Sequence, residues 1–274
     1  MSFDFEAVVI GGGAVGLACA AALGRSVGHT LVLEHASHVG EGISSRNSEV
    51  VHAGLYYAPG SLKHLLCIEG RQLLYHYLAK VGVPHRKCGK LVVATDASEL
   101  VGIEALAKRA TTNGVEGIRL LDGSEVQALE PELNATGALF SPETGIFDSH
   151  AYMLALSHEI EDHGGYIACR APFRRAVREQ EGFRIWIGGA DPTELRARVL
   201  VNAAGLSATD AAMAIEGMVP EAIPKLRLAK GCYFGLSGRA PFRRLVYPAP
   251  VDGGLGVHAT LDLAGRMRFG PDVE

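Results

Sequence analysis

Short apolar runs alternate along the chain with longer stretches in which apolar residues recur every three or four positions, the pattern of an α/β protein. The first run, Ala7-Val8-Val9-Ile10, leads into Gly11-Gly12-Gly13-Ala14-Val15-Gly16. A small-residue stretch from Leu17 to Gly24 follows, and a second apolar run, Thr30 to Leu33, ends on Glu34. This reads as strand, helix, strand. Residues 36–60 form a polar, glycine-containing connection, most polar from Ser44 to Ser48. A helix is then predicted from about Ser61 to Lys80, with Ser61 as N-cap and Leu62, Leu65, Leu66, Leu73, Leu74, Tyr77 and Val81 at helical spacing.

Leu91 to Ala94 reads as a strand. Asp96 with Glu99 predicts a capping box for a helix that ends before Gly114, and Asp122 with Glu125 repeats the device for a short helix stopped by Pro131. Another helix spans about Ala151 to His163 and stops at Gly164-Gly165. Tyr166 to Cys169 and Phe183 to Ile187 read as strands, and Val199 to Asn202 as a buried strand that runs into the small-residue turn Ala203-Ala204-Gly205. Further on, Cys232 to Leu236, Leu245 to Tyr247, Leu255 to Ala259 and the stretch from Met267 to Glu274 look like strands between Gly and Pro turns.

The opening turn carries chemistry. In a GxGxxG turn between a strand and a helix, Gly11 permits the tight exit from the strand, Gly13 lets backbone approach a pyrophosphate, and Gly16 allows close helix packing. The helix start, with Ala14 and Val15, aims unpaired N–H groups and the positive dipole end at that pyrophosphate. Glu34 is placed to accept hydrogen bonds from an adenosine ribose. An acid there, with no arginine just after it, favours FAD or NAD over NADP.

Composition narrows the field. Net charge is −4 with no basic block, which argues against a nucleic-acid partner. The five cysteines are scattered with no CxxC pair, a pattern of reduced thiols that predicts a cytoplasmic setting. The first apolar run is already the nucleotide-binding strand, so no secretory segment is expected, and no apolar stretch approaches a membrane span. Peripheral association with an inner membrane stays open. Eleven histidines without HExxH or comparable spacing predict no metal site.

The block from Ser44 to Lys63, SSRNSEVVHAGLYYAPGSLK, is more specific. With Lys87-Cys88-Gly89-Lys90-Leu91, Pro142 to Asp148, Asn202 to Leu206, Tyr247-Pro248-Ala249-Pro250 and Leu255-Gly256-Val257-His258, it resembles the L-2-hydroxyglutarate dehydrogenase/oxidase family. That family lies within the D-amino-acid-oxidase-like superfamily of FAD-dependent oxidoreductases. The resemblance implies a Rossmann-like FAD-binding domain with an inserted mixed α+β substrate domain. The expected division is residues 1–80 plus 148–215 for FAD and 81–147 plus 216–274 for substrate. It implies FAD as cofactor, a small 2-hydroxy acid as substrate, and a quinone or oxygen as electron acceptor.

By the same resemblance Ser44, Ser45, Arg46, Asn47 and Ser48 line the flavin diphosphate and ring, Val177 meets the adenine side through its backbone, and Ala204 and Gly205 approach through main chain. The family commonly has Gly where this chain has Glu49. It often shows an Arg-Gly-Asp/Glu-Tyr pattern where this chain has Lys230-Gly231-Cys232-Tyr233. Family members also continue past residue 274, with a further glycine-rich turn and helix that complete the FAD half.

Oxidation of an alcohol on a flavin requires a proton acceptor for the hydroxyl, a role suited to a neutral imidazole. His52, just after the polar loop, is the first choice, and His258 is the competing base or a carboxylate contact. Tyr57, Lys230 and Tyr233 are the substrate candidates, with Arg46 and Lys230 suited to carboxylates by charge. His35 and His38 are read as adenine-edge or surface residues. Two alternatives stand beside this reading: an amine or amino-acid oxidase of the glycine/sarcosine type, and a chain unable to retain FAD and therefore inactive.

Overall fold

A computed structural model of the protein describes residues 2–250 and 256–273. In chain order its first strands are β1 (Phe5–Ile10), β2 (Thr30–Leu33), β3 (Val50–Val51), β4 (His85–Arg86), β5 (Lys90–Ala94), β6 (Arg119–Asp122), β7 (Gly137–Ser141) and β8 (Gly145–Phe147). They are followed by β9 (Tyr166–Ala168), β10 (Phe173–Arg178), β11 (Phe183–Ile187), β12 (Thr193–Asn202), β13 (Ile215–Glu216), β14 (Gly231–Gly235), β15 (Leu245–Pro248), β16 (His258–Leu261) and β17 (Met267–Val273). The helices are α1 (Ala14–Val27), α2 (Leu62–Val81), α3 (Ala97–Thr112), α4 (Gly123–Leu129), α5 (Ser149–Asp162) and α6 (Ala208–Met213).

The chain divides into two compact units. Unit 1 comprises residues 1–47 and 149–228, and unit 2 residues 48–148 and 229–274. The expected boundaries at 80 and 215 therefore move. Residues 48–80 belong to unit 2 because β3 pairs with β8 and because α2 is tied to that unit by buried polar bonds. Residues 216–228 stay with unit 1, where β13 extends the sheet beside β10.

Unit 1 is built on a seven-stranded sheet in the order β13-β10-β11-β12-β1-β2-β9. The four strands β12, β1, β2 and β9 run parallel, and on the inner pair β1 and β2 the apolar residues from Ala7 to Ile10 and from Leu31 to Leu33 are buried on both faces, as central parallel strands require. Helix α1 returns over the sheet and packs against α5. Its buried residues are Gly16, Leu17, Ala20, Ala21 and Gly24, one face at spacings of three and four, and their small size lets backbone approach backbone. Val8, Leu31, Leu33, Ala176, Ile185 and Ala197 form the core beneath.

Unit 2 holds a second seven-stranded sheet, β14-β17-β16-β15-β5-β7-β6, and a small sheet β3-β8-β4. Helix α3 seals one cluster with Ile103, Leu106 and Ala110 against Val92, Ala94 and Leu139. The Asp122–Glu125 capping box on α4 forms in both directions. On α3 the Asp96 carboxylate caps Ser98 and Glu99, but the Glu99 side chain reaches back to the Thr95 amide at 2.7 Å, one residue earlier than expected.

Helix α2 begins at the expected N-cap, where Ser61 Oγ accepts the His64 amide at 3.2 Å. Its leucine ridge does not face a core: Leu62, Leu65, Leu66 and Leu73 are exposed, and the buried residues are His64, Arg71, Tyr75 and Leu78. Polar bonds hold that face. His64 Nδ1 accepts the Gly60 amide at 3.0 Å, so Nε2 carries the proton toward the Asn113 carbonyl at 3.0 Å, and the buried Arg71 guanidinium donates to Glu143 at 2.8 Å. Among the described residues no helix is long and apolar enough to cross a membrane. The strand expected at Leu255 to Ala259 begins at His258, and Leu255 lies outside the described residues.

Candidate active site

The C-terminal ends of β1, β2 and β12 open onto a cavity of about 620 Å³ in unit 1. Topology puts it there: β1 pairs in parallel with β2 on one side and β12 on the other, so three strand-to-turn exits meet. Gly11 has φ +104°, and a Cβ there would stand 2.5 Å from the Ala203 carbonyl. A Cβ on Gly16 would lie on the Gly11 carbonyl, and one on Gly13 would meet Ser44 Oγ at 2.8 Å. None of these three positions admits a side chain without displacing other protein atoms, and Gly11 and Gly13 line the cavity as bare backbone. At the start of α1, Val15 and Gly16 have amides with no partner inside the helix, while the Ala14 amide donates to Ser44 Oγ at 3.0 Å.

Glu34 is buried in the wall. One oxygen accepts the Gly12 amide at 2.8 Å, the other accepts the Ala36 amide at 2.8 Å, and His35 Nδ1 lies 2.9 Å from it. Each carboxylate oxygen keeps capacity for a further donor, as a ribose would supply. His35, Ser44, Ala204 and Gly205 also line the cavity. Asn202 Oδ1 accepts the Ala204 amide at 3.2 Å and shapes that turn. Cradle, helix start, buried acid and cavity size fit a dinucleotide such as FAD.

Other expected contacts fall elsewhere. Val177 sits on β10 opposite Arg184 and does not line the cavity; Pro172, Phe173 and Arg174 form that wall. Of the polar loop only Ser44 lines it. Ser45 Oγ donates to the Gly42 carbonyl, Arg46 donates to the Ser45 carbonyl and Asn47 to the Ser44 carbonyl, so these side chains build the turn itself. Ser48 belongs to unit 2.

Unit 2 gathers a separate constellation. His52 follows β3, between the buried Val51 and Ala53. Its ring keeps accessible surface, yet the protein around it disfavours a charged imidazole, and the positive charges of Lys90, His258 and Lys63 act in the same direction. Its pKa is pushed down to about 4. The neutral form is therefore the resident one at neutral pH. The Cys67 thiol donates to the His52 carbonyl at 3.5 Å. Tyr57 carries Lys63 over its ring at 5.2 Å and bonds the Cys67 thiol, whose pKa is raised by burial. His258 lies flat on Tyr247, ring centroids 3.6 Å apart. That stack makes His258 a packing partner as well as a titratable group.

Lys90, quoted in the sequence only as part of a family motif, is fully buried at the head of β5. Its ammonium lies 4.7 Å from the ring centroids of both Tyr56 and Tyr247. The available signal was a cation opening the otherwise apolar run Lys90-Leu91-Val92-Val93-Ala94. Of the substrate candidates, Tyr233 is exposed with Arg268 over its ring at 5.9 Å, and Lys230 is exposed just before β14. Among the described residues no group of His, Cys, Asp and Glu is arranged to hold a metal.

Known proteins carry the same organisation. The chain is 40% identical to a mitochondrial L-2-hydroxyglutarate dehydrogenase of Arabidopsis thaliana, over 98% of its own length and 62% of that protein's. It is 32% identical to the corresponding protein of Pongo abelii, over 98% and 67%. The chain thus spans about three fifths to two thirds of the length of these relatives. Among solved structures it is similar in fold to the FAD-bound L-alpha-glycerophosphate oxidase of Mycoplasma pneumoniae, with a TM-score of 0.89 at 22% identity, covering 98% of this chain and 71% of that one. The model of the FAD dependent oxidoreductase family matches residues 6–274, and with the glycine cradle and buried acid in place the chain belongs to that family.

Proposed function

We propose that this chain takes part in the FAD-dependent oxidation of L-2-hydroxyglutarate, or a similar 2-hydroxy acid, to the 2-oxo acid. The similarity to L-2-hydroxyglutarate dehydrogenases supports the substrate class. The observation that carries the chemistry is His52: an imidazole held in its free-base form beside cations, with no carboxylate of the described residues among the charges acting on it. FAD, when bound, supplies the hydride acceptor.

The chain's own residues supply the rest. Gly11, Gly13 and Gly16 leave room for the diphosphate, and the start of α1 offers it amides. Glu34 accepts from the ribose while bracing the glycine turn. The unprotonated ring nitrogen of His52 accepts the hydroxyl proton of the substrate, which needs no prior proton loss at neutral pH. Lys63 and Lys90 supply positive charge suited to a diacid. The electrons then pass to a quinone or to oxygen.

The test is anaerobic mixing of the FAD-loaded chain with L-2-hydroxyglutarate while flavin absorbance is followed. Bleaching by this acid, and not by glycine or sarcosine, is the expected result. Bleaching by the amines instead would move the reaction to a C–N bond, and an FAD-loaded protein reduced by none of them would discard the oxidation.

A further inference from the structure

Lys90 poses a specific electrostatic problem. Its Nζ is buried and, among the described residues, has no hydrogen-bond acceptor. The two tyrosine faces at 4.7 Å offset part of the desolvation, but a ring face is a weaker partner than an oxygen anion. An unpaired buried ammonium is among the more expensive groups a fold can carry, and one retained in a native core calls for an explanation.

The neighbours give one. The groups that act on Lys90 are the rings of Tyr56 and Tyr247, with His52 and Cys67 nearby; Tyr57, Lys63 and His258 in turn act on these neighbours. Tyr233 on β14 and Arg268 on β17 act on Tyr247. All of these are cationic or neutral in their ordinary forms, and among the described residues no carboxylate figures in the charges acting on His52, Tyr56, Tyr57, Cys67, Lys90 or Tyr247. Elsewhere in unit 2 three cations have acids on them: Arg71 and Lys87 share Glu143, and Arg244 holds Glu130. Among the described residues Lys90 is thus a buried cation with aromatic faces around it and no anion on it.

We propose that Lys90 is a specificity-determining residue for an anionic substrate, its buried ammonium being the charge that a substrate carboxylate completes. This rests on the 2-hydroxy acid reading above and names the group that selects a diacid within it. Of the two cage walls, Tyr247 is buried on β15 and stacked on His258, whereas Tyr56 stands on a loop and keeps accessible surface. Tyr56 is therefore the wall that turns when the anion arrives. Without the anion, burial pushes the Lys90 pKa down to about 7. An anion beside it restores the charged form, so binding takes up a proton from solvent onto Nζ.

The experiment is calorimetric titration of the chain, with FAD added, by 2-oxoglutarate, a diacid it cannot oxidise. Titrations run at pH 7.5–8 in two buffers of different ionisation enthalpy. The wild type is expected to bind with net proton uptake. Lys90→Met should weaken binding tenfold or more and abolish the uptake. Lys90→Arg, always charged, should bind within a few-fold of wild type without uptake. In turnover, Lys90→Met should raise KM for the diacid far more than it lowers kcat. A Lys90→Met protein that is folded by thermal melt yet binds the diacid as tightly as wild type overturns the proposal, as does a wild type that does not bind it. Proton-linked diacid binding by a wild type that L-2-hydroxyglutarate fails to reduce keeps Lys90 as the anion partner and discards the oxidation.

Discussion

Glu34 is hydrogen-bonded to the turn it serves, its Oε2 accepting the Gly12 amide at 2.8 Å. The acid at the end of β2 therefore holds the glycine turn, and in the proposed function it also accepts from the ribose. Glu34→Ala should weaken FAD binding by more than tenfold, and by leaving buried amides without an acceptor it should also destabilise the chain by about 1–3 kcal/mol. Fluorescence titration with FAD and denaturant unfolding read the two effects. Unchanged FAD affinity would remove the ribose role.

The glycines of the cavity are unequal. Gly16→Ala places a methyl on the Gly11 carbonyl, where only backbone can give way, whereas a Cβ on Gly42 meets nothing within 4 Å. Gly16→Ala should yield a protein that purifies without flavin and unfolds earlier by about 1–3 kcal/mol. Gly42→Ala should retain flavin as the wild type does. Visible absorbance of the two purified variants decides it.

The His52 shift gives a pH signature. Because the folded pKa lies near 4, below the ordinary 6.5, the free base persists as pH falls through neutrality and is lost only near 4. The acid limb of the flavin-reduction rate should therefore lie well below pH 6. His52→Ala should slow reduction by about a hundredfold or more with FAD still bound. Near-normal reduction in that variant would pass the role to His258.

Lys90 should make stability depend on pH in the opposite sense to a salt bridge. Below about 7 both folded and unfolded chains carry the proton and the fold bears the full burial penalty. Between about 7 and the ordinary 10.5 the unfolded chain binds more protons, so stability rises with pH across that window. Lys90→Met should raise the unfolding free energy at pH 6 by an amount on the order of 1–4 kcal/mol, read by denaturant unfolding. The gain should shrink toward pH 10, and an equal gain at both would show that the buried amine is not titrating.

Glu49 has φ +59°, a left-handed conformation that suits glycine, which explains why a glycine fits the family pattern there. Glu49→Gly should leave the melting temperature unchanged or raise it. Glu49→Val, with a branched Cβ in the same conformation, should lower stability by about 1–2 kcal/mol. A calorimetric scan of the pair checks this.

The nucleotide cradle was legible because its requirements are local: strand, three glycines, helix and distal acid sit within 34 residues, with Gly11 and Gly16 dictated by backbone clashes and Gly13 by Ser44 Oγ. The caps at Ser61, Asp96 and Asp122 were legible for the same reason. The α2 ridge was not. Periodicity marks an apolar face without saying what lies beside it, and here Arg71, His64 and Tyr75 face inward because their polar partners come from residues 60, 113 and 143. Val177 was misplaced for a related reason. The strand that carries it, β10, has no clear apolar alternation in the sequence, and which of its ends reaches the cavity depends on sheet order, with Phe173 and Arg174 at that end. Lys90 shows the reverse case, in which an anomalous charge inside an apolar run pointed to chemistry that spacing rules do not name.

The pairing of β1 with β12 has a kinetic consequence. Glu6 and Arg198, bonded across these neighbouring strands, are 192 positions apart, and all of residues 48–148 lie in the loop that this contact closes. Pairings of such separation come late and slow folding, because chain entropy is lost before the contact compensates. During synthesis the Gly11–Gly16 turn emerges early with only one of its walls, and the other, Ala203 to Gly205, follows after nearly two hundred residues. Unit 1 is thus the part of the chain exposed longest to misassociation. FAD bound in that cavity should speed the approach to the native state only when β12 is present in the refolding chain.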